Sequence, residues 1–191
     1  YLVYGDQVHE TDMAYPQFMI AQTEMLGDMY ALGSNSGYDW YRTYNTMDRD
    51  MSGTSYFSWL PWRTLYMFVK GANDAIKTFK SMSEPSDENK NYAAMAYAYR
   101  AYDYYMLTIL FEPVANKYTD CSKVLGLTVP IITEETTEEE AANNPRATHD
   151  KMIEFILSDL DAAEKIFTET DYKGKDRTAP SLAVVYGLKA K

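Results

Sequence analysis

Aromatic and polar side chains are mixed in one long connection, residues 33–60. Its aromatic residues lie among Gly, Ser, Asn and Asp rather than in an apolar stripe. Sugar rings present C–H faces that stack on aromatic rings, and hydroxyls that pair with carboxylate, amide and guanidinium groups. A shallow aromatic platform with a few fixed polar groups therefore suits oligosaccharide capture. The residues predicted to form it are Trp40, Tyr41, Arg42, Tyr56, Trp59 and Asp28.

The same rings have a structural alternative. Trp40 and Trp59 would then fold inward and anchor the long connection, which would bind nothing. The two interpretations differ in what a substitution removes: affinity in the first, stability in the second. The sequence leaves both open.

Asp48, Asp50, Ser52 and Gly53 match the opening of a calcium-binding EF-hand loop, with oxygen ligands at alternate positions and Gly at the sixth. The twelfth position is Trp59 rather than a bidentate Glu, so the usual cage cannot close. We therefore predict an ordinary polar turn, with Asp48, Asp50 and Ser52 as weak candidates only. Neither a metal nor a cofactor is predicted.

Catalytic chemistry has little material in this sequence. Glu24 and Asp28 lie one helical turn apart, but nothing indicates the burial that raises the pKa of a glycosidase acid. His9 and His149 each lack a suitable partner nearby in sequence, and neither a Gly-rich phosphate loop nor a nucleophile elbow occurs. We predict that the protein is not an enzyme.

Composition excludes further classes. The 191 residues carry a net charge of −10, which argues against binding nucleic acid or anionic lipid through clustered positive charge. One cysteine rules out an intramolecular disulfide framework. No apolar run approaches the roughly 20 residues of a membrane span. The 15% aromatic content suits large helix interfaces as well as ligand-facing rings.

The elements that must position these residues are helices. Apolar residues recur at three- or four-residue steps over 13–32, 61–82, 88–111 and 152–167, and a fifth helix begins near Pro180. We predict an all-α, α-solenoid-like fold of tetratricopeptide-like helix pairs, at about 61–111 and 146–191, with long loop insertions. The interpretation treats 1–191 as a single helical domain.

Three local predictions can be compared with the structure. Thr148 is expected to cap the N-terminus of the fourth helix. The alanine-rich face of residues 93–101 is expected to pack against the helix over 62–79. The acidic run over 133–140 is expected to be a solvated surface segment or a short helix.

Four stretches in order resemble the N-terminal part of the SusD/RagB family. They are Trp62 and Tyr66 through Asn73 and Ile76; Arg100-Ala101 through Tyr105; Val129-Pro130, then Arg146 through Asp159-Leu160 and Ala163; and Arg177-Thr178 through Ala190. The family pattern has Phe-Gly or Tyr-Gly ahead of its first Val-Pro, whereas Phe111 is followed here by Glu112-Pro113. The family's usual length and its N-terminal lipid-carrying cysteine are missing, since Cys121 lies too deep, so we expect a fragment of a larger SusD-like protein.

The resemblance implies a function. SusD/RagB proteins are outer-membrane lipoproteins of Bacteroidetes that capture nutrients, usually glycans. It implies an oligosaccharide or other nutrient as ligand, a SusC-like TonB-dependent transporter as partner, and a place on the extracellular face of the outer membrane, held by a lipid anchor that this chain lacks. The alternative is a helical-repeat protein-interaction scaffold without sugar binding. Exposed rings in the 33–60 connection would favour capture, and buried rings would favour the scaffold.

Overall fold

A computed structural model of the chain describes residues 56–117, 120–174 and 178–191. These ranges contain five helices: α1 (Tyr56–Lys80), α2 (Asp87–Phe111), α3 (Glu138–Ala142), α4 (His149–Glu169) and α5 (Leu182–Lys189). Within them the only β-type pairing is an isolated bridge between Leu127 and Thr148. The predicted all-α fold is confirmed, while the predicted helix over 13–32 lies outside the described residues.

The chain divides into two compact units, Tyr1–Thr64 and Leu65–Lys191. The prediction of one helical domain over 1–191 stays a prediction. None of the helices that the structure describes is long and apolar enough to cross a membrane.

Helices α1 and α2 run antiparallel. Tyr66 meets Tyr104 edge-to-face, with ring centroids 6.3 Å apart, and Asn73 bonds to Arg100 further along α1. Residues later in α1 therefore contact residues earlier in α2. Beyond Asn73, Ile76 packs in one buried cluster with Ala96, whose small side chain lets the helices approach closely. The predicted packing of the alanine-rich face against this helix is confirmed at Ala96.

Helix α4 runs antiparallel to α2. From one end to the other, Tyr104 meets Phe155, Arg100 meets Asp159, and Asn91 accepts a hydrogen bond from Thr170. The buried stripe of α4 consists of Met152, Ile156, Leu160, Ala163 and Phe167. Two further apolar residues in the predicted range 152–167 stay outside this stripe, since Ile153 and Leu157 are 37% and 41% exposed.

Helix α5 packs on α4 and completes the described part of the fold. Val185 is fully buried, and Lys189 forms ion pairs with Asp161 and Glu164. Tyr186 donates a hydrogen bond to the same Glu164 carboxylate from an exposed position. The second predicted helix pair is therefore present as α4 and α5, although α5 covers only Leu182–Lys189.

Helix α1 begins five residues earlier than the sequence predicts. The predicted range, 61–82, starts at Pro61, but the helix already includes Tyr56 and Trp59 and has Pro61 inside it. Proline in a helix interior removes one backbone donor and crowds the carbonyl four residues before it, which made an earlier start look unfavourable. The structure corrects the placement of Tyr56 and Trp59, which lie on a helix rather than in a connection.

The N-cap of α4 is confirmed. Thr148 has extended backbone angles, and its hydroxyl accepts the backbone N–H of Lys151 at 3.4 Å. We expect Thr148→Ala to lower the free energy of unfolding by about 1 kcal/mol, since the helix loses one satisfied terminal donor. Urea denaturation followed by circular dichroism measures this. Thr148→Ser keeps the hydroxyl and should stay close to the parent, and an equal loss in both variants would contradict a capping role.

Candidate functional site

The predicted carbohydrate site lies mostly beyond the described residues. Asp28, Trp40, Tyr41 and Arg42 lie outside them, as do the weak metal candidates Asp48, Asp50 and Ser52. Tyr56 is described as the first residue of α1. Trp59 is the predicted site residue whose surroundings the structure gives.

Trp59 and Arg63 form a stacked pair on the first turns of α1. The guanidinium carbon of Arg63 lies 5.1 Å from the centroid of the Trp59 ring, which is a cation–π contact. Trp59 is half-buried and Arg63 is exposed. The guanidinium covers one face of the Trp59 ring, so the pair joins an indole ring to a fork of hydrogen-bond donors, and groups of these two kinds bind the rings and hydroxyls of sugars. Arg63 was not among the predicted site residues. It lies four residues after Trp59, and residues at this spacing are neighbours on a helix, so the contact is predictable once the segment is known to be helical.

A non-helical segment, residues 127–134, crosses the helices and is called the strap here. Carbonyls of every second residue accept side-chain donors: Thr128 from Arg146 at 2.6 Å, Pro130 from Tyr66 at 2.6 Å, and Ile132 from Asn73 at 3.0 Å. An alternation of two residues is that of an extended chain, so one edge of the strap is fixed to the helical frame.

The strap ends in a buried ionic network centred on Arg100. The guanidinium donates two hydrogen bonds of 2.7 Å to Asp159, and its Nη1 donates to Asn73 and to Glu134 at 2.6 Å each. Lys80 pairs with the second oxygen of Glu134. Arg100, Glu134 and Asp159 are all buried, so α1, α2, α4 and the strap meet at one set of charges.

Aromatic rings shield this network from water. The guanidinium carbon of Arg100 lies 5.5 Å from the Tyr97 ring centroid and 5.1 Å from that of Phe155. Burial opposes the charge of Arg100, but the hydrogen bonds that it donates to Asp159 outweigh burial and raise the pKa of Arg100. Burial likewise opposes ionisation of Glu134, but bonds from Lys80 and Arg100 prevail and lower its pKa to about 2. Burial raises the pKa of Asp159 although its carboxylate accepts hydrogen bonds from Arg100. The network joins the helices and the strap at one point and so positions the frame.

Two acidic residues, Glu134 and Asp159, are buried. Glu134 belongs to the run over 133–140 that was predicted to be solvated, and it is buried. The rest of that run fits the prediction, since it leads into the short helix α3, capped by Thr137. Asp159 on α4 is buried as well, and it faces Arg100 rather than solvent.

Asp103 is a buried carboxyl with an unpartnered oxygen. The residue is 3% exposed on α2, and its Oδ2 has no hydrogen-bond partner. Burial raises the pKa of Asp103 to about 8, so the carboxyl is protonated at neutral pH. It contributes no charge to the network of Arg100.

An open polar groove of about 560 Å³ lies beside the strap. Its lining consists of Thr133, Glu135, Thr136, Glu140, Asn143, Asn144 and Pro145. Acceptor oxygens prevail, and no side chain in the lining carries a positive charge. In the described ranges, no group of three or more His, Cys, Asp or Glu residues is placed to hold a metal ion.

The chain resembles one family of proteins and one solved structure. Residues 7–191 match the model of a family, SusD-like, described as "starch-binding associating with outer membrane". The crystal structure of a SusD-like carbohydrate-binding protein from Bacteroides vulgatus ATCC 8482 matches with a TM-score of 0.69 and 20% identity. The match covers 91% of this chain and 34% of that one, so the chain spans about a third of its length. At this identity the likeness shows the fold alone. No curated protein matches the chain.

Proposed function

Because the chain belongs to the SusD-like family, described as starch-binding and associated with the outer membrane, we propose that it takes part in capturing oligosaccharides at the cell surface. The family match over residues 7–191 carries this proposal. The resemblance drawn from four sequence stretches is thereby confirmed at the level of the family. The proposal is capture without catalysis. Binding is supported by the stacking and hydrogen-bonding groups of the chain.

The proposed capture site is the aromatic platform of Trp40, Tyr41, Arg42, Tyr56, Trp59 and Asp28. The stacked pair of Trp59 and Arg63 supports it, because an indole ring and a guanidinium that covers one of its faces are held together on the first turns of α1. Rings of this kind bind sugars through their C–H faces, while the guanidinium and carboxylate select among the hydroxyls. A nutrient other than a glycan is the alternative ligand.

The partner that we propose is a SusC-like TonB-dependent transporter, which would receive the captured sugar. The proposed location is the extracellular face of the outer membrane, with a lipid anchor as the attachment. The family description, which associates its members with the outer membrane, supports both proposals. A net charge of −10 fits an extracellular surface that binds neutral glycans rather than nucleic acid or anionic lipid.

Replacing Trp59 with Ala tests the platform. We expect binding to maltoheptaose to weaken roughly ten- to a hundredfold, because a lost aromatic stack costs on the order of 1–3 kcal/mol by analogy with stacking on nucleobases. Helical content and melting temperature should hardly change. Isothermal titration calorimetry gives the affinity, and circular dichroism gives the stability.

The matched control is Tyr186→Ala, which removes another partly exposed ring on α5 and should leave the affinity unchanged. If Trp59→Ala lowers the melting temperature while affinity per folded molecule stays the same, Trp59 is a structural anchor and the platform proposal is wrong for that residue. A well-folded parent that binds none of a panel of soluble glycans would favour the scaffold alternative.

A further inference from the structure

The groove beside the strap has fixed walls. Asn144 donates its side-chain amide to the Ile131 carbonyl at 2.6 Å, and Asn143 donates to the Glu139 carbonyl at 3.2 Å. The backbone N–H of Thr133 donates to the Thr136 hydroxyl at 2.9 Å. These bonds hold the lining side chains in place before any ligand arrives, which lowers the entropic cost of binding.

The groove is also anchored to the interior. Glu134, which stands between the lining residues Thr133 and Glu135, is fixed by Arg100 and Lys80. The carbonyl of Ile132 accepts from Asn73, so the strap cannot slide along the helices without breaking buried bonds. The position of the lining is therefore set by hydrogen bonds and ion pairs to α1 and α2.

The hydrogen-bonding capacity of the groove is mainly that of an acceptor. Asn143 and Asn144 each donate one amide hydrogen to a backbone carbonyl, which leaves the side-chain oxygen and one further amide hydrogen of each residue for a ligand. One oxygen of Glu140 accepts from the backbone N–H and the hydroxyl of Thr137, and its other oxygen remains available. The Glu135 side chain is 76% exposed, and its Oε1 lies 3.7 Å from the Lys80 ammonium. A ligand that fits this lining donates hydrogen bonds.

Charge narrows the ligand class further. Two carboxylates and no cation line the groove, and Lys80 approaches Glu135 from outside the lining, so the lining itself disfavours phosphates, sulfates and uronic acids. A neutral saccharide satisfies the remaining requirements, since adjacent hydroxyls donate to carboxylate and amide oxygens. At about 560 Å³ the groove falls within the usual range of small-molecule sites.

We propose that this groove is a second, low-affinity subsite for neutral saccharides, separate from the aromatic platform. The proposal rests on the proposed function for the class of ligand, but on the groove's own geometry for the site. A lining without aromatic rings implies a dissociation constant on the order of a millimolar. Such a subsite strengthens capture of a long glycan that also occupies another site, because its second contact becomes intramolecular.

Titration of the isotope-labelled 191-residue chain with maltose tests the proposal by nuclear magnetic resonance. We expect the backbone amide signals of residues 133–144 to shift and saturate in the millimolar range. The double variant Glu135→Gln/Asn143→Ala should weaken this response at least tenfold, because hydrogen bonds to a charged acceptor are among the stronger ones. Glu138→Gln changes an exposed acid on α3 outside the lining and should leave the response unchanged.

The other outcomes separate this proposal from the proposed function. Shifts confined to the platform residues, including Trp59, would overturn the groove and leave the proposed function standing. Groove shifts that survive Trp59→Ala would support the groove even if the platform fails. A response to calcium chloride alone, or an equal response to glucuronic acid, would overturn the assignment to neutral saccharides. Saturation unaffected by the double variant would overturn it as well.

Discussion

Replacing Arg100 with Met is expected to destabilise the protein by about 3–5 kcal/mol, because it leaves the buried carboxylates of Glu134 and Asp159 without their main partner. Asn73 loses its donor in the same step. Domains of ordinary stability unfold with only about 5–15 kcal/mol, so this one substitution removes a large share. Urea denaturation followed by the helical signal in circular dichroism measures the change.

Two further variants make the interpretation specific. Arg100→Lys keeps the charge but not the planar fork that bonds to Asp159, Asn73 and Glu134 together, so it should recover only part of the loss. Arg100→Met combined with Glu134→Gln and Asp159→Leu removes the charges as a group and should be markedly more stable than Arg100→Met alone. A loss below 1 kcal/mol for Arg100→Met would show that the network does not support the fold.

Replacing Asp103 with Asn should stabilise the protein increasingly as the pH rises from about 4 to 8. Burial raises the pKa of Asp103 from 3.8 to about 8. Between these values the unfolded chain has released the proton and the folded chain retains it, so raising the pH favours unfolding. The slope for one such group is about 1.4 kcal/mol per pH unit. Asn has the same shape and cannot ionise, so the variant escapes this loss.

The measurement is the difference in unfolding free energy between Asp103→Asn and the parent across that range. Near pH 3 the parent carboxyl is protonated in both states, and the difference should be small and constant. Asp150→Asn, an exposed acid in the first turn of α4, is the matched control and should show no comparable rise. A difference that stays flat between pH 4 and 8 would show that Asp103 has an ordinary pKa and is solvated.

The sequence predicted those features that depend on neighbours along the chain. The apolar spacing of Met152, Leu160 and Phe167 gave the buried stripe of α4, and Thr148 gave its cap. The small side chain of Ala96 gave the close approach of α2 to α1. In each case a period of three or four residues, or a single cap, contains the relevant physics.

Features that depend on distant partners were not predictable in this way. Glu134 stands in a run of acids whose other members are solvated, and its partner Arg100 lies 34 residues earlier. Asp159 lies 59 residues from the same guanidinium. No local pattern distinguishes a buried acid from its exposed neighbours. In the candidate site, the stacking of Arg63 on Trp59 depends on a local spacing of four residues and was predictable. It was not predicted because the helix was expected to begin at Pro61, after Trp59.

The charges around Arg100 also bear on how this sequence can change through evolution. Lys80 and Arg100 balance Glu134 and Asp159, so the group as a whole is neutral. Losing one member leaves a buried charge uncompensated, whereas exchanging the whole group for apolar residues is often tolerated. Neighbouring substitutions of this kind are strongly non-additive. Descendants of this chain should therefore keep all of these residues or lose several together, and alignments of its relatives should show Arg100, Glu134 and Asp159 covarying.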